Sequence, residues 1–144
     1  LVWVSQLDTN VQEVATAGAD ANRWTDFTDN GAGPAPYNGD DALVDAKLIL
    51  NGHDRFATRK AGYFNLVQPY QHHTRIPATG VYVYSFALKP EEHQPSGSVN
   101  MSRIDNATLN LTMSSAAAMK LYTYVRSLNV LRIMSGMGGK AYSN

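Results

Sequence analysis

Apolar and polar positions alternate in short runs along most of this chain, and no long stretch repeats at helical spacing. Residues 1–7 read as a strand with Leu1, Trp3 and Ser5 on one face and Val2, Val4 and Gln6 on the other. Residues 42–51 admit a helical stripe, but the strand reading is preferred. It sets Val44, Ala46, Leu48 and Leu50 on one face, and Asn51-Gly52, a strong tight-turn pair, stops the run. Residues 81–88 make the clearest strand: Tyr82, Tyr84, Phe86 and Leu88 alternate with Val81, Val83, Ser85 and Ala87 until Lys89-Pro90 ends it. In residues 99–113, Ile104, Asn106, Thr108 and Asn110 face one way and Ala107, Leu109, Leu111 and Met113 the other. Residues 114–118 suggest one helical turn, and residues 119–134 hold two more β-like runs.

Between these runs lie long connections rich in Gly, Pro, Asn and Asp, at residues 8–41, 53–80 and 90–100. Loops of such length in a compact domain are usually functional. Trp24 and Phe27 are expected to pin the first loop to the body. The sum is an all-β chain, an antiparallel sandwich of jelly-roll type with long loops. Its expected core includes Leu48, Leu50, Val83, Phe86, Leu109, Leu111 and Leu121, each contributing roughly 1.5–3 kcal/mol when fully buried.

Composition narrows the function. The 144 residues suffice for one domain, and 17% charged residues against 44% hydrophobic ones make a folded but charge-poor chain. Twelve basic and twelve acidic side chains cancel, which argues against direct nucleic-acid binding and suits a protein that associates. The absence of cysteine removes disulfides, thiolate nucleophiles and cysteine-held metals. No apolar run is long enough for a membrane-spanning helix. The chain opens directly on a strand-like run at Leu1, so it is expected to be a fragment of a longer polypeptide. The charges are also segregated: residues 1–54 carry a net −7 and residues 55–144 a net +7. Either the two halves neutralise each other, or an assembly has one acidic and one basic surface.

Candidate chemistry is sparse. His72, His73 and His93, with Glu91 and Glu92, form the one metal-like group, but adjacent histidines on a strand point to opposite faces, and no metal or other cofactor is expected. No serine sits in a nucleophile elbow, so the chain is not expected to be an enzyme. Around Gly136, Gly138 and Gly139 the composition resembles a phosphate loop, but the Lys-Ser/Thr ending is missing. A crowded turn with structural glycines is the better reading. Three glycosylation tripeptides begin at Asn100, Asn106 and Asn110; the last two fall in an expected strand, where a sugar fits only on an exposed face. Tyr82, Tyr84, Tyr122 and Tyr124 could pack a sheet face or contact a sugar. Tyr82 and Tyr84 with His72, His73 and His93 define the rival reading: a carbohydrate-binding or cupin-like β-sandwich domain.

Several stretches together carry a resemblance: residues 50–56 (Leu-Asn-Gly-His-Asp-Arg-Phe), 63–74 (Tyr-Phe-Asn-Leu-Val-Gln-Pro-Tyr-Gln-His-His-Thr), 84–97 (Tyr-Ser-Phe-Ala-Leu-Lys-Pro-Glu-Glu-His-Gln-Pro-Ser-Gly), 102–107 (Ser-Arg-Ile-Asp-Asn-Ala) and 129–144, which ends Leu-Arg-Ile-Met-Ser-Gly-Met-Gly-Gly-Lys-Ala-Tyr-Ser-Asn. In this order they resemble the C-terminal part of the major capsid proteins of nucleocytoplasmic large DNA viruses. The resemblance covers residues 43–144, and residues 1–4 look like a strand of the same region; residues 8–41 do not match in detail.

The resemblance implies a double jelly-roll protein of which residues 1–144 are the second, C-terminal jelly roll, lacking its first strands. It implies a structural role in the virion: homotrimers forming pseudo-hexagonal capsomers that tile an icosahedral capsid shell, assembled in the host cytoplasm. The partners would be identical and neighbouring copies, with minor capsid proteins, an internal membrane and glycans as further contacts.

Overall fold

The computed structural model describes residues 1–7, 27–28, 41–114 and 119–142. The loop expected over residues 8–41 lies mostly outside these, as do Trp24 and the turn expected at residues 115–118. Nine strands are described: β1 (Val2–Leu7), β2 (Leu43–Leu50), β3 (His53–Asp54), β4 (Arg59–Lys60), β5 (Val81–Val83), β6 (Ala107–Met113), β7 (Met119–Tyr124), β8 (Leu131–Met134) and β9 (Met137–Lys140). Every pairing among them is antiparallel. One sheet has the order β5-β1-β7; a second is built on β2, flanked by β6 on one edge and by β3 and β4 on the other; β8 and β9 form a separate hairpin.

β1 is the middle strand of its sheet, and Trp3, Val4, Ser5 and Gln6 are all buried, so both of its faces are covered. In β2 the expected face is revised at one end. The register with β6 slips between Leu43 and Asp45, which turns Leu43 into the core and leaves Val44 42% exposed. A β-bulge of this kind resets the alternation, so Leu43 joins Ala46, Leu48 and Leu50 on the inner side. The Asn51-Gly52 turn forms as read, with φ of 50° and 80°, between paired Leu50 and His53. Asn51 Oδ1 also accepts the N–H groups of Asp105 and Asn106, fixing the entry to β6. β6 keeps the expected alternation: Leu109, Leu111 and Met113 pack on the core while Thr108, Asn110 and Thr112 face out.

Two expectations need correction. The strand over residues 81–88 ends at Val83: Tyr84 still bonds Leu1, but the next amide, Ser85 N, is taken by Gln68 Oε1 on the helical segment, and Ser85 Oγ bonds Ala87. Residues 53–80 are not merely a connection. They contain a π-helical turn (Tyr63–Val67) that runs into the short helix α1 (Gln68–His72). Its inward residues are Phe64, Asn65, Gln68 and Pro69, a helical spacing in which two of the four are polar. Each buried amide is satisfied across the fold. Asn65 Nδ2 donates to the carbonyls of Ala78 and Val81; Gln68 Nε2 donates to Tyr63 Oη, and its Oε1 accepts from Ser85 N. The helical segment thereby grips β5 at both ends.

The core lies between the two sheets and against this helical segment. Trp3 meets Phe64 edge-on at 5.1 Å and Tyr82 at 6.0 Å; Phe56 meets Phe64 at 5.5 Å and Tyr84 at 4.8 Å. Leu48 and Val83 are buried as expected, and Leu50, Phe86, Leu109 and Leu111 pack on the cluster half-buried. Leu121 is 50% exposed and does not join it. Tyr82 also ties the sheets by polar contact: its hydroxyl accepts from Leu43 N at 3.2 Å and donates to Asp41 Oδ1 at 3.3 Å. Phe27 is half-buried, as a pinning residue should be, and its backbone lies against Gly80, whose φ is +86°.

Two substitutions test these contacts. Tyr82→Phe leaves Leu43 N without its buried acceptor and should cost about 1–3 kcal/mol in denaturant unfolding; an unchanged midpoint would show that the hydroxyl does not hold the sheets. Gly80→Ala places a Cβ against the Phe27 carbonyl at a positive φ, and should lower stability by at least about 1–3 kcal/mol. Gly138→Ala, where an added Cβ meets nothing within 4 Å, should not.

Candidate assembly interface

The expected chemical groups do not converge. His72 and His73 both serve to hold the turn after β5 against the end of α1. His72 Nδ1 donates to the carbonyl of Leu88 at 2.9 Å, and His73 Nδ1 donates to Glu91 Oε1 at 3.1 Å. Glu91 also accepts from Thr74 N at 3.3 Å through both oxygens. These bonds, those from Thr74 first and that from His73 after, hold the Glu91 carboxyl below its ordinary pKa. Glu92 pairs with Lys89 instead, and His93 is exposed. Among the described residues no three His, Asp or Glu side chains form a group that could hold a metal ion.

The tyrosines do not make a binding face. Tyr82 and Tyr84 are core residues, and burial pushes the Tyr84 phenol above its ordinary pKa; Tyr124 is exposed and Tyr122 half-buried on β7. A shallow cleft on the outer side of the second sheet is lined by Asp45, Ala46, Lys47, Thr58, Asn110 and Thr112, with no aromatic ring on which a sugar could stack. Asn100, Asn106 and Asn110 are all exposed. Asn100 Oδ1 caps the 3-10 turn Met101–Arg103, Asn106 Oδ1 accepts from Thr108 Oγ1, and Asn110 stands on the outward face of β6.

The glycines separate into two roles. Ser135 and Gly136, with φ of 51° and 78°, make the tight turn of the β8–β9 hairpin, where only a left-handed pair closes the loop. Gly138 and Gly139 lie in β9 opposite Ile133 and Arg132, without positive φ and with open space where a Cβ would be. Among the described residues nothing lies within 4 Å of a Cβ built at any of these three glycines. Sequence reading missed Asn129, which closes the base of the hairpin: its side chain bonds Tyr142 N, Tyr142 O and Val130 N.

What remains is exposed apolar surface. All of residues 128–142 are exposed, including Leu131 (71%), Ile133, Met134 and Met137. Leu131 and Ile133 stand on one face of the hairpin, Met134 and Met137 on the other. Among the described residues β8 and β9 pair only with each other, which leaves one edge of each without a strand partner there. Leu121, Tyr124 and Val125 extend the apolar exposure along and just past β7, the last strand of its sheet among the described residues. A second exposed group, Leu66, Val67, Tyr70 and Ile76, covers the outer side of the helical segment. Apolar surface on this scale marks a place where another surface docks.

A family model described as large eukaryotic DNA virus major capsid protein matches residues 1–139. The chain is 62% identical over 111 residues to a major capsid protein of Chrysochromulina ericina virus, covering 74% of this chain and 19% of that protein. It is 47% identical over 154 aligned positions to the major capsid protein of Paramecium bursaria Chlorella virus 1, covering 90% of this chain and 35% of that one. A chain in a quasi-atomic model of the PBCV-1 virus capsid superposes with a TM-score of 0.66 at 38% identity, over 99% of this chain and 42% of that chain. The chain thus spans well under half the length of these relatives. The all-β, antiparallel jelly-roll architecture read from the sequence is the one observed, and the chain belongs to the major capsid protein family of large eukaryotic DNA viruses.

Proposed function

We propose that this chain is part of the second, C-terminal jelly roll of a double jelly-roll capsid protein, and that it works by assembly rather than by turnover. The observation that carries this reading is the likeness to the PBCV-1 capsid chain along 99% of the present one, at 38% identity. The rigid sandwich supplies a wall. Homotrimers of the whole polypeptide form pseudo-hexagonal capsomers, which tile an icosahedral shell assembled in the host cytoplasm. Many weak contacts repeated around a closed shell give a stable whole, and a chain with no net charge associates without self-repulsion. Minor capsid proteins and an internal membrane are further partners on this reading, with no direct nucleic-acid contact. Any glycans stand on Asn100, Asn106 or Asn110, whose exposure leaves room for them. The carbohydrate-binding or cupin-like alternative is not favoured, because Tyr82 and Tyr84 lie in the core and His72 and His73 are engaged in holding a turn.

The β8–β9 hairpin bears on the incompleteness of the jelly roll. An isolated two-stranded hairpin is marginal in water, and among the described residues this one joins no larger sheet. Strands from the rest of the polypeptide would pair with the edges left open among the described residues and cover its apolar faces. In the full polypeptide, amides of residues 131–140 should exchange at least about 100-fold more slowly than in the 144-residue chain. Replacing both Leu131 and Ile133 with Asp should abolish that protection and lower the yield of trimers. Equal exchange in the two proteins, with trimers unaffected by the double substitution, would refute the completion.

A further inference from the structure

Asn51-Gly52 carries a chemistry that neither the fold nor assembly uses. An asparagine that precedes a glycine can cyclise, because no Cβ on the glycine hinders its amide nitrogen from approaching the side-chain carbonyl carbon. Here Gly52 N, giving up its proton, would bond to Asn51 Cγ. The Cγ–Nδ2 bond would break, and Nδ2 would leave with that proton as ammonia. Water then opens the cyclic imide. Opening at Cγ leaves aspartate; opening at the main-chain carbonyl leaves isoaspartate, in which the main chain runs through Cβ and Cγ and is one methylene longer. Water is the only other reactant, and both residues are exposed.

The turn that holds this pair is not the one the ring needs. Asn51 and Gly52 have φ of 50° and 80°, and positive φ at both central positions of a two-residue hairpin loop is the type I′ turn. In that turn ψ of the first central residue is about +30°. An imide ring needs Cβ, Cα, C and the glycine nitrogen nearly coplanar, which sets ψ at about −120°, the value of a type II′ turn, whose second central residue has negative φ. Ring closure therefore requires the peptide plane between Asn51 and Gly52 to flip by roughly 150°, against the pairing of Leu50 with His53. The side chain is held as well. Asn51 Oδ1 accepts from Asp105 N at 2.9 Å and from Asn106 N at 3.1 Å, and Asn51 N donates to Asn106 O at 2.8 Å. The ring also needs Cγ in its plane, which takes χ1 off every staggered well and pulls the carboxamide away from those two amides.

We propose that Asn51 is a guarded deamidation site: the type I′ turn and the two amides on Oδ1 keep it intact in the folded protein, and isoaspartate forms there when the turn between β2 and β3 opens. The product then damages the fold. A longer main chain does not fit a two-residue loop, and isoaspartate takes the acceptor away from Asp105 N and Asn106 N at the entry to β6. The site records excursions from the native state, and it does not rest on the assembly reading.

The test follows deamidation in the full polypeptide that carries this chain, native and unfolded in guanidinium chloride, at one pH and temperature. Peptide mapping by mass spectrometry reads loss of ammonia and gain of water at each Asn-Gly pair, and enzymatic methylation of isoaspartate reads the second product. Asn30-Gly31 and Asn38-Gly39 are the other such pairs in the sequence, and in the unfolded protein all three should react at similar rates, which calibrates the readout. Asn51 should react at least about 10-fold more slowly in the native protein than in the unfolded one. Asp105→Pro removes the N–H that donates to Oδ1 at 2.9 Å and should speed the native reaction by about 3-fold or more, with circular dichroism unchanged. Equal rates at Asn51 in the native and unfolded protein would overturn the guard. So would a native rate above the unfolded one, since the two amides would then activate the carbonyl as an oxyanion hole does. No reaction at Asn51 in the unfolded protein, with the other two pairs reacting, would overturn the site itself. A folded Asp105→Pro with an unchanged native rate would overturn the part given to the amides. Asn106→Pro answers the same question if Asp105→Pro does not fold, and the wild-type comparison stands in either case.

Discussion

Trp3, Phe64 and Tyr82 meet at ring separations of 5.1 and 6.0 Å, and the folded body depends on that junction. Trp3 comes from the central strand of one sheet, Phe64 from the π-helical turn and Tyr82 from the strand beside Trp3. Phe56 and Tyr84 continue the stack towards the edge of β2, so one aromatic core joins elements far apart in sequence. Large rings bury much area and keep few rotamers, which lets a small sandwich be held by a handful of side chains. All three rings are fully buried, and the largest loss from a single truncation is expected here.

Around this core the polar groups decide geometry more than energy. Asn65 and Gln68 spend their amides on the chain just before and just after β5, and Tyr82 Oη spans from its own sheet to Leu43 on the other. Buried amides with specific partners tolerate only one arrangement, because an unmatched donor is costly. The His72 and His73 contacts do the same for the turn at residues 88–91, where the bonds are exposed and weaker. The result is a densely packed centre, with strand edges at β7, β8 and β9 unpaired among the described residues and exposed apolar side chains on the helical segment. The contrast is one of packing: the aromatic rings are fully buried, while apolar side chains on the hairpin and on the helical segment stand exposed.

Much of the sheet was legible because period-2 alternation is a local property. β6 shows it without interruption from Ala107 to Met113, and the Asn51-Gly52 turn follows from the left-handed tolerance of those two residues. The helical segment was not legible, because two of its four inward residues are Asn65 and Gln68, so the apolar stripe that marks a helix is broken. A search that allowed amides among the inward positions, here Asn65 and Gln68 beside Phe64 and Pro69, would have found the spacing. The bulge at Val44 and the early end of β5 at Val83 also escaped, since both come from partners distant in sequence. Of the groups singled out as chemical, the sequence could name His72, His73, Tyr82 and Tyr84 but not their neighbours. Only packing turned the tyrosines into core and the histidines into tethers.

By itself, then, the sequence determined the strand-rich architecture, the tight turns, the lack of net charge and the family likeness, since each is written in adjacent residues or in their order. The tertiary structure alone decided which apolar residues are core and which are left outside: Leu48 is buried and Leu131 exposed, although both sit in similar apolar runs. Burial depends on what lies across the sheet, and that partner is never a sequence neighbour.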